Sequence, residues 1–289
     1  MTTEMSRPPA DWLWTVTFAR CAVMTERAMD RPDRSRERPG DRCDRLRSRP
    51  VIAVATWNVL HRVHAENWGE DVAVRWPDES ERIAAVTARL ARRTEQVIAL
   101  QEVSGDQLAS IRAALAGWTV HTFRYPRVPR PRRGSYTPHD PAEYLVLLVD
   151  GPGREVAAES FADDPGKGAL AVRTAAALLV ATHVSGDRRR TGQLARLAAL
   201  TAGCAGHPTV ILGDFNADGA TVAAGLGPGF AVEEFPPGTP PTRPGEPGSK
   251  PLRIDHVAAR GAGISDAAVD DMGGLSDHNL VRASITTGD

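Results

Sequence analysis

Residues 210–217 join an apolar, β-branched run to a carboxylate and a carboxamide two positions apart. Alternate residues of an extended chain face the same side, so Asp214 and Asn216 can point together from the end of a buried strand. The carboxylate can act as a base or a metal ligand, and the carboxamide can donate a neutral hydrogen bond. The stretch therefore predicts a functional site at a strand end.

The same pattern, an apolar run that ends in polar side chains, occurs four more times. The four places are Thr56-Trp57-Asn58, Gln101-Glu102, Thr182-His183 and Ser276-Asp277-His278. We interpret them as one site built from the ends of several strands. Carboxylates without thiolates favour a hard cation, so we expect Mg²⁺, with Mn²⁺ as a substitute. Asn and His donors can hold phosphate oxygens as negative charge builds, so the set predicts a phosphate ester as substrate.

A calcium loop is the competing interpretation of the first stretch. Asp214-x-Asn216-x-Asp218-Gly219 matches the opening of an EF-hand loop. The bidentate Glu that should close such a loop is replaced by Gly225, and the preceding segment has the pattern of a strand. The calcium loop is therefore the less favoured alternative.

The composition sets the limits of the domain and its surroundings. At 289 residues and 31.0 kDa the chain suits one large α/β domain or two small ones. Residues 30–50 mix Arg, Asp, Glu and Pro with few apolar side chains, so we expect residues 1–50 to be a disordered extension and 51–289 to be the catalytic domain. The net charge of −1 argues against a general nucleic-acid coat protein.

The cysteines and the apolar runs bear on the compartment. Cys21, Cys43 and Cys204 are too few and too scattered for a disulfide framework or a zinc site. No run is long enough to cross a bilayer. We therefore expect a cytoplasmic protein without a membrane span, and a monomer.

Periodicity predicts strands and helices in alternation, followed by a series of strands. The predicted strands are 51–57, 96–102, 118–123, 144–149, 155–161, 168–173, 175–182, 210–214, 252–257, 264–269 and 280–285. Helices are predicted after a cap at Asp78 or Ser80, after the capping box Ser104-x-x-Gln107, and over 191–202. Residues 61–77 and 236–251 are predicted loops, and Arg82 is assigned to the solvent face of its helix. We expect an α/β fold, a four-layer sandwich of two packed mixed sheets flanked by helices.

Six motifs, taken in order, resemble those of the endonuclease/exonuclease/phosphatase superfamily, whose members have the DNase I-like fold. The resemblance covers roughly residues 51–285. The motifs are Thr56-Trp57-Asn58, Leu100-Gln101-Glu102-Val103, Thr182-His183, Gly213-Asp214-Phe215-Asn216, Ile254-Asp255-His256 and Ser276-Asp277-His278. The likeness is loosely nearest to the deadenylase and nocturnin-type branch. Abasic-site endonucleases carry an acid where this chain has Leu60, so abasic-site repair is less favoured.

The resemblance implies a metal site and a set of catalytic residues. Glu102 would bind Mg²⁺, with Asn58 and Asp277 near the same ion. In the catalytic set, Asp214 would orient or deprotonate the attacking water and Asn216 would hold a phosphate oxygen.

Two histidines complete the implied set. His278, braced by Asp255, and His183 would contact the scissile phosphate from two sides. Plainer roles stay open: Asp255 could be a turn acid, and His183 could be a surface residue at a strand end. His256 is predicted to pack beside Asp255 rather than to act.

The substrate is indicated only in outline. The loop 124–133 mixes arginines with prolines, and Arg124, Tyr125 and Arg188 are the candidate substrate-binding residues for a nucleic acid with stacked bases, or for a nucleotide. One alternative is a phosphatase or phospholipase C-like hydrolase of a small phosphorylated metabolite or lipid. Another is a catalytically inactive binding protein on the same fold.

Overall fold

The computed structural model describes residues 50–134, 136–203, 206–245 and 250–288. The predicted disordered extension lies outside these residues except for Pro50, and so do the three cysteines. Among the helices that are described, none is both long enough and apolar enough to cross a membrane.

Twelve strands in the described residues form two six-stranded mixed sheets. They are β1 (Val51–Asn58), β2 (Val97–Ser104), β3 (Thr119–Arg124), β4 (Glu143–Val149), β5 (Arg154–Phe161), β6 (Asp164–Arg173), β7 (Leu178–His183), β8 (Thr209–Asp214), β9 (Phe230–Val232), β10 (Asp255–Arg260), β11 (Ala262–Asp270) and β12 (Leu280–Thr287). Sheet A has the order β11-β12-β1-β2-β4-β3, and sheet B has the order β5-β6-β7-β8-β10-β9. The pairs β1–β2 and β7–β8 are parallel, and the other neighbours are antiparallel.

Six helices lie between the strands in the described part of the chain. They are α1 (Arg62–Trp68), α2 (Asp71–Arg75), α3 (Glu79–Ala91), α4 (Gly105–Ala114), α5 (Arg190–Ala202) and α6 (Gly219–Leu226). Asp78 caps α3, and the predicted capping box of Ser104 and Gln107 begins α4. The start signals that the sequence shows are therefore confirmed for these two helices.

Three apolar clusters hold the layers together. Alternate strand residues, among them Val54 of β1 and Leu212 of β8, meet between the two sheets. The other face of sheet A packs on α3 and α4, and the other face of sheet B packs on α5 and α6. The order helix, sheet, sheet, helix confirms the predicted four-layer sandwich.

The structure corrects several element assignments. The predicted loop 61–77 contains α1 and α2, which are too short to show helical periodicity and which pack through Ala65 and Val72. The predicted strand 252–257 begins only at Asp255, because the backbone N–H groups of Ile254 and Asp255 are bonded to the Thr242 hydroxyl. Helix α6 and strand β9 were not predicted.

The assignment of Arg82 to the solvent face of α3 is wrong. Its side chain is completely buried. The guanidinium donates to the carbonyl oxygens of Val59 (3.0 Å), Leu60 (2.8 Å) and Leu275 (2.8 Å), and it forms an ion pair with Glu79. Because a buried charge needs partners on all sides, these bonds fix the segment after β1 against the segment before β12.

Replacing Arg82 should destabilise the fold strongly. Arg82→Met leaves the buried Glu79 carboxylate with only the more distant Arg62, at 3.7 Å, and removes the Arg82 donors from the carbonyls of Leu60 and Leu275, so we expect a loss of about 3–5 kcal/mol in the free energy of unfolding. Urea denaturation measures this loss. Arg89→Met, on the exposed face of the same helix, is the matched control and should change stability by less than about 0.5 kcal/mol. Equal losses in the two variants would contradict the role of Arg82.

His256 forms a second buried charged contact, on the face of sheet B that is covered by α6. Its Nδ1 donates to Glu233 Oε1 at 2.7 Å and its Nε2 donates to the Ala217 carbonyl at 2.9 Å. Both partners are oxygen acceptors, so both ring nitrogens carry protons and the ring is an imidazolium. Burial by itself would lower the pKa of His256, but the Glu233 carboxylate outweighs this and raises it.

This raised pKa predicts how stability depends on pH. Protonated His256 stabilises the folded state fully below the unfolded pKa of about 6.5, and the contribution is lost as pH rises through the higher folded pKa. The stability difference between the wild type and His256→Gln should therefore be largest near pH 6 and should shrink in alkaline buffer. Urea titrations at several pH values measure it, with His139→Gln, whose side chain is 99% exposed, as control. A difference that grows with pH would show that the charge is not stabilising.

Candidate active site

The polar residues at the strand ends meet where the two sheets come together. In sheet B, His183, Asp214 and Asp255 stand side by side at the matching ends of β7, β8 and β10. In sheet A, Asn58 ends β1 and Glu102 lies near the end of β2. The connection from β11 to β12 adds Asp277 and His278. Both sheets therefore contribute to one site, as the strand-end pattern predicts.

Asp214 lies at the centre of this cluster. Its Oδ2 is 3.2 Å from Asn58 Nδ2, 3.3 Å from His183 Nε2 and 4.0 Å from His278 Nε2. Its Oδ1 accepts the backbone N–H of Asn216 at 2.9 Å. Burial alone would raise the pKa of Asp214, but its contacts with the neighbouring His183 and His278 side chains hold that pKa well below its usual range. Asp214 is therefore a buried carboxylate with a fixed orientation.

Asn216 turns back towards the neighbouring strand. Its side-chain Nδ2 donates to the Val184 carbonyl at 3.0 Å, and its backbone has a left-handed φ of 49°. The next acid, Asp218, caps α6 through the Thr221 N–H. Because Asp218 points into this cap, the competing calcium loop lacks a second ligand in addition to its closing Glu.

His278 and Asp255 form a bonded pair. The Nδ1 of His278 donates to the two Asp255 oxygens at 2.9 and 3.1 Å, which leaves Nε2 facing Asp214 and Asp277. Burial alone would lower the pKa of His278, but the charges of Asp255 and Asp277 raise it to about 10. Ser276 holds the loop to β1 through a 2.7 Å bond to the Asn58 carbonyl. The ring is therefore an imidazolium with one free N–H at the site.

Glu102 reaches the site because β2 contains a bulge. The register of β2 with β4 shifts between Leu100 and Val103, and Glu102 has a left-handed φ of 56°. Its Oε1 is 3.8 Å from His183 Nε2, while its Oε2 is buried without a hydrogen-bond partner in the described residues. Burial alone would raise the pKa of Glu102, but His64 and His183 lower it to about 2. An unpartnered buried carboxylate oxygen is a suitable ligand for a hard cation.

A metal ion could bind in one of two places, at the cluster of Asp214, Asp255 and His278 or at the Glu102 carboxylate. Ligand atoms of Asp214, Asp255 and His278 lie within 4.8 Å of one another. The Asp255–His278 bond already engages two of these groups, whereas Glu102 Oε2 is free. Asp277 lies at the rim and binds Arg243 at 2.9 Å. The donor chemistry therefore favours a cation at Glu102.

Lys167 was missed by the sequence analysis. It lies on β6 beside β7, where Gly168 pairs with His183, and its ammonium is 3.2 Å from His183 Nδ1 and also contacts Nε2. One signal was available: Lys167 is one of only two lysines among 35 basic residues. The strand pairing that brings it to the site cannot be read from the sequence.

The candidate substrate-binding residues lie elsewhere. Four of the catalytic candidates, His183, Asp214, Asn216 and His278, line a cavity of about 470 Å³, and the arginines in its wall are Arg127, Arg189 and Arg243 rather than Arg124 and Arg188. Tyr125 is 1% exposed and packs edge-on against Phe123. A buried ring has no free face for a base, so the expected stacking role of Tyr125 is corrected.

Comparison with solved structures shows the same fold. An endonuclease/exonuclease/phosphatase from Beutenbergia cavernae matches with a TM-score of 0.58 and 22% identity, over 83% of this chain and 72% of that chain. D. rerio TDP2 complexed with single-strand DNA product matches with a TM-score of 0.59 and 14% identity, over 82% and 99% of the two chains. The human Nocturnin catalytic domain with bound sulfate gives 0.56 and 15%, over 83% and 94%.

Sequence comparison gives the family. No curated protein matches the chain in sequence. The model of the Endonuclease/Exonuclease/phosphatase family matches residues 55–278, a span that includes every candidate catalytic and metal-binding residue. The predicted resemblance is therefore confirmed, and the chain belongs to the Endonuclease/Exonuclease/phosphatase family of phosphoric ester hydrolases.

Proposed function

We propose that this enzyme is a Mg²⁺-dependent phosphoesterase that hydrolyses nucleic acids or nucleotides. One observation supports the chemistry above all: the Asp214 carboxylate lies within 4.0 Å of Asn58, His183 and His278, side chains that come from three separate parts of the chain. A base, neutral donors and an imidazolium around one point are what the hydrolysis of a phosphate ester requires.

Glu102 and Asn58 are the residues that would hold the metal ion, with Asp277 at the edge of the same site. The free Oε2 of Glu102 and the all-oxygen chemistry of these side chains fit Mg²⁺, with Mn²⁺ as a substitute. When bound, the cation neutralises negative charge on the phosphate.

Asp214 is the proposed general base. It is ionised at neutral pH, and its bond from the Asn216 N–H fixes its orientation. It accepts a proton from the attacking water as the water oxygen bonds to phosphorus and the P–O bond to the leaving oxygen breaks, and the leaving oxygen takes a proton from solvent. Asn216 is proposed to hold a phosphate oxygen once substrate replaces its bond to the Val184 carbonyl.

The two histidines are the proposed electrostatic partners. Asp255 holds His278 in one orientation, so the free Nε2–H can donate to the phosphate as negative charge develops. His183 approaches Asp214 from the opposite side, next to Lys167.

The expectation of a cytoplasmic monomer, drawn from composition, stays a prediction.

A substrate panel tests the proposed function. The protein is incubated with Mg²⁺, or with EDTA, and with single-stranded RNA, single-stranded DNA, nucleoside phosphates and sphingomyelin in parallel. Metal-dependent cleavage of the polymers or nucleotides supports the proposal. Turnover of sphingomyelin alone would favour the lipid hydrolase, and hydrolysis of none would favour a binding protein.

Asp214→Asn should lower kcat by about 10²-fold or more, because the amide cannot accept the proton of the attacking water. The fold should be preserved, since the new side chain keeps an oxygen for the Asn216 N–H. Steady-state kinetics and circular dichroism measure the two effects. Asp218→Asn is the matched control, because Asn caps a helix as well as Asp does and Asp218 lies outside the cavity. Normal turnover by Asp214→Asn would remove this residue from the mechanism.

Removal of divalent cations should stop hydrolysis, and added Mg²⁺ should restore it. Glu102→Gln should need a higher Mg²⁺ concentration for half-maximal activity, because a neutral amide binds a hard cation less well than a carboxylate. Mg²⁺ titrations of the rate measure the shift, with Glu155→Gln on the exposed part of β5 as control. An unchanged Mg²⁺ requirement in Glu102→Gln would place the ion elsewhere.

A further inference from the structure

Trp68 is a large apolar side chain that the fold leaves in solvent. It is the last residue of α1 and is 60% exposed. Its ring is stacked on that of His64, four positions earlier on the helix, with the centroids 5.0 Å apart and the planes inclined by 10°. One face of the indole is therefore covered, and the exposed area belongs to the other face and the edges.

The ring is held in a fixed place. His64 beneath it binds the buried carboxylate of Glu143 through Nε2, at 2.9 Å. Helix α1 is closed at its start by His61, whose Nδ1 accepts the Val63 N–H, and at its end by the left-handed Gly69. A flat ring that is already ordered loses little conformational entropy when it binds a ligand.

Trp68 is part of the wall of three cavities, and it joins the one that contains the catalytic candidates to one that is lined by arginines. One is the cavity of about 470 Å³ that contains Asp214 and His278. The other is a groove of about 570 Å³ formed by residues 126–132, with His64 and Asn67 on its opposite side. His64, Trp68 and Arg127 line both cavities, so a chain that leaves the catalytic cavity along this groove passes these three side chains.

The groove carries positive charge that the fold does not neutralise. Arg130 and Arg132 are exposed, and no carboxylate of the described residues forms an ion pair with either. Asn67 holds their backbone, because its Nδ2 donates to the Arg130 carbonyl at 3.0 Å and its Oδ1 accepts the Arg132 N–H at 2.6 Å. The residue next to Trp68 therefore positions the arginines relative to the indole.

We propose that Trp68 is a stacking platform for an unpaired nucleobase next to the scissile phosphate, and that Arg130 and Arg132 bind the adjoining phosphates of the same single strand. This inference rests on the proposed function and narrows its substrate to single-stranded nucleic acid. Inside a duplex, base pairing holds each base in the stack and its neighbours cover both of its faces, so a base must be unpaired and unstacked to lie on the exposed face of the indole.

Binding to an inactive enzyme tests the stacking contact separately from turnover. In the Asp214→Asn background with Mg²⁺, fluorescence anisotropy measures the Kd of a labelled eight-residue oligothymidylate and of an abasic chain with the same phosphates. Trp68→Ala should weaken binding of the oligothymidylate about tenfold and of the abasic chain by less than about twofold. Trp68→Phe should keep most of the affinity. Val74→Ala, an exposed apolar residue of α2, is the control and should change neither Kd.

The arginines are tested by salt dependence. The double substitution Arg130→Gln with Arg132→Gln should weaken binding of both chains and should reduce the slope of log Kd against log salt by about 1.4, the value for two phosphate contacts on a single strand. Equal loss for the two chains in Trp68→Ala, or no loss, would overturn the stacking platform.

The two levels of proposal can fail separately. In one outcome the wild type cleaves the polymers, but Trp68→Ala, like Val74→Ala, changes the Kd of the oligothymidylate no more than that of the abasic chain. The stacking proposal then fails and the proposed function stands. If the wild type acts on none of the nucleic acids or nucleotides, the proposed function fails and the stacking proposal fails with it.

Discussion

The geometry of the site depends on one buried guanidinium, that of Arg82. Arg82 donates to the carbonyl oxygens of Val59 and Leu60, just after Asn58, and to that of Leu275, just before the loop that carries His278. Apolar packing alone would let these two segments slide, because dispersion contacts have little directional preference. A planar guanidinium with several fixed donors does not allow this. From outside the cavity, Arg82 thus holds the segment that follows Asn58 at a constant separation from the segment that leads to His278.

The candidate active site also contains opposite charges at close range. The carboxylates of Glu102, Asp214 and Asp255 are buried, and each would be costly to ionise alone. Lys167 and the imidazolium of His278 lie among them and offset this cost. The same groups present donors and acceptors to a ligand without reorganising, which is the condition for strong electrostatic stabilisation of a transition state.

Much of this arrangement could be predicted from the sequence, because it follows from the period of a strand. Asn58 and Asp214 face the space between the sheets, on the same side as the alternate apolar residues before them. Glu102 breaks this rule, since a bulge adds a residue and turns its side chain to the inner face. No local pattern reveals such a bulge.

The misassigned residues share a physical cause. Arg82 and Tyr125 belong to types that are usually found at the surface or at interfaces, and only tertiary contacts show that both are buried. The short helix α1 has only seven residues, too few to show a periodic apolar pattern, and it is defined instead by its caps, His61 and Gly69. The family resemblance predicts roles for the candidate catalytic and metal-binding residues, but it does not predict which residues form the surrounding wall of the cavity.

The order of strands in sheet A has a consequence for biosynthesis. Strand β1 pairs with β12 from the opposite end of the chain, so that Val51 lies beside Thr286, and the histidine of the centre lies in the connection that leads into β12. A nascent polypeptide that has emerged from the ribosome only as far as β10 can pair β1 with β2, but it lacks β12 on the other side of β1 and lacks the His278 ring that binds Asp255. The pair of Asp255 and His278 can therefore form only after β12 has been synthesised and has paired with β1.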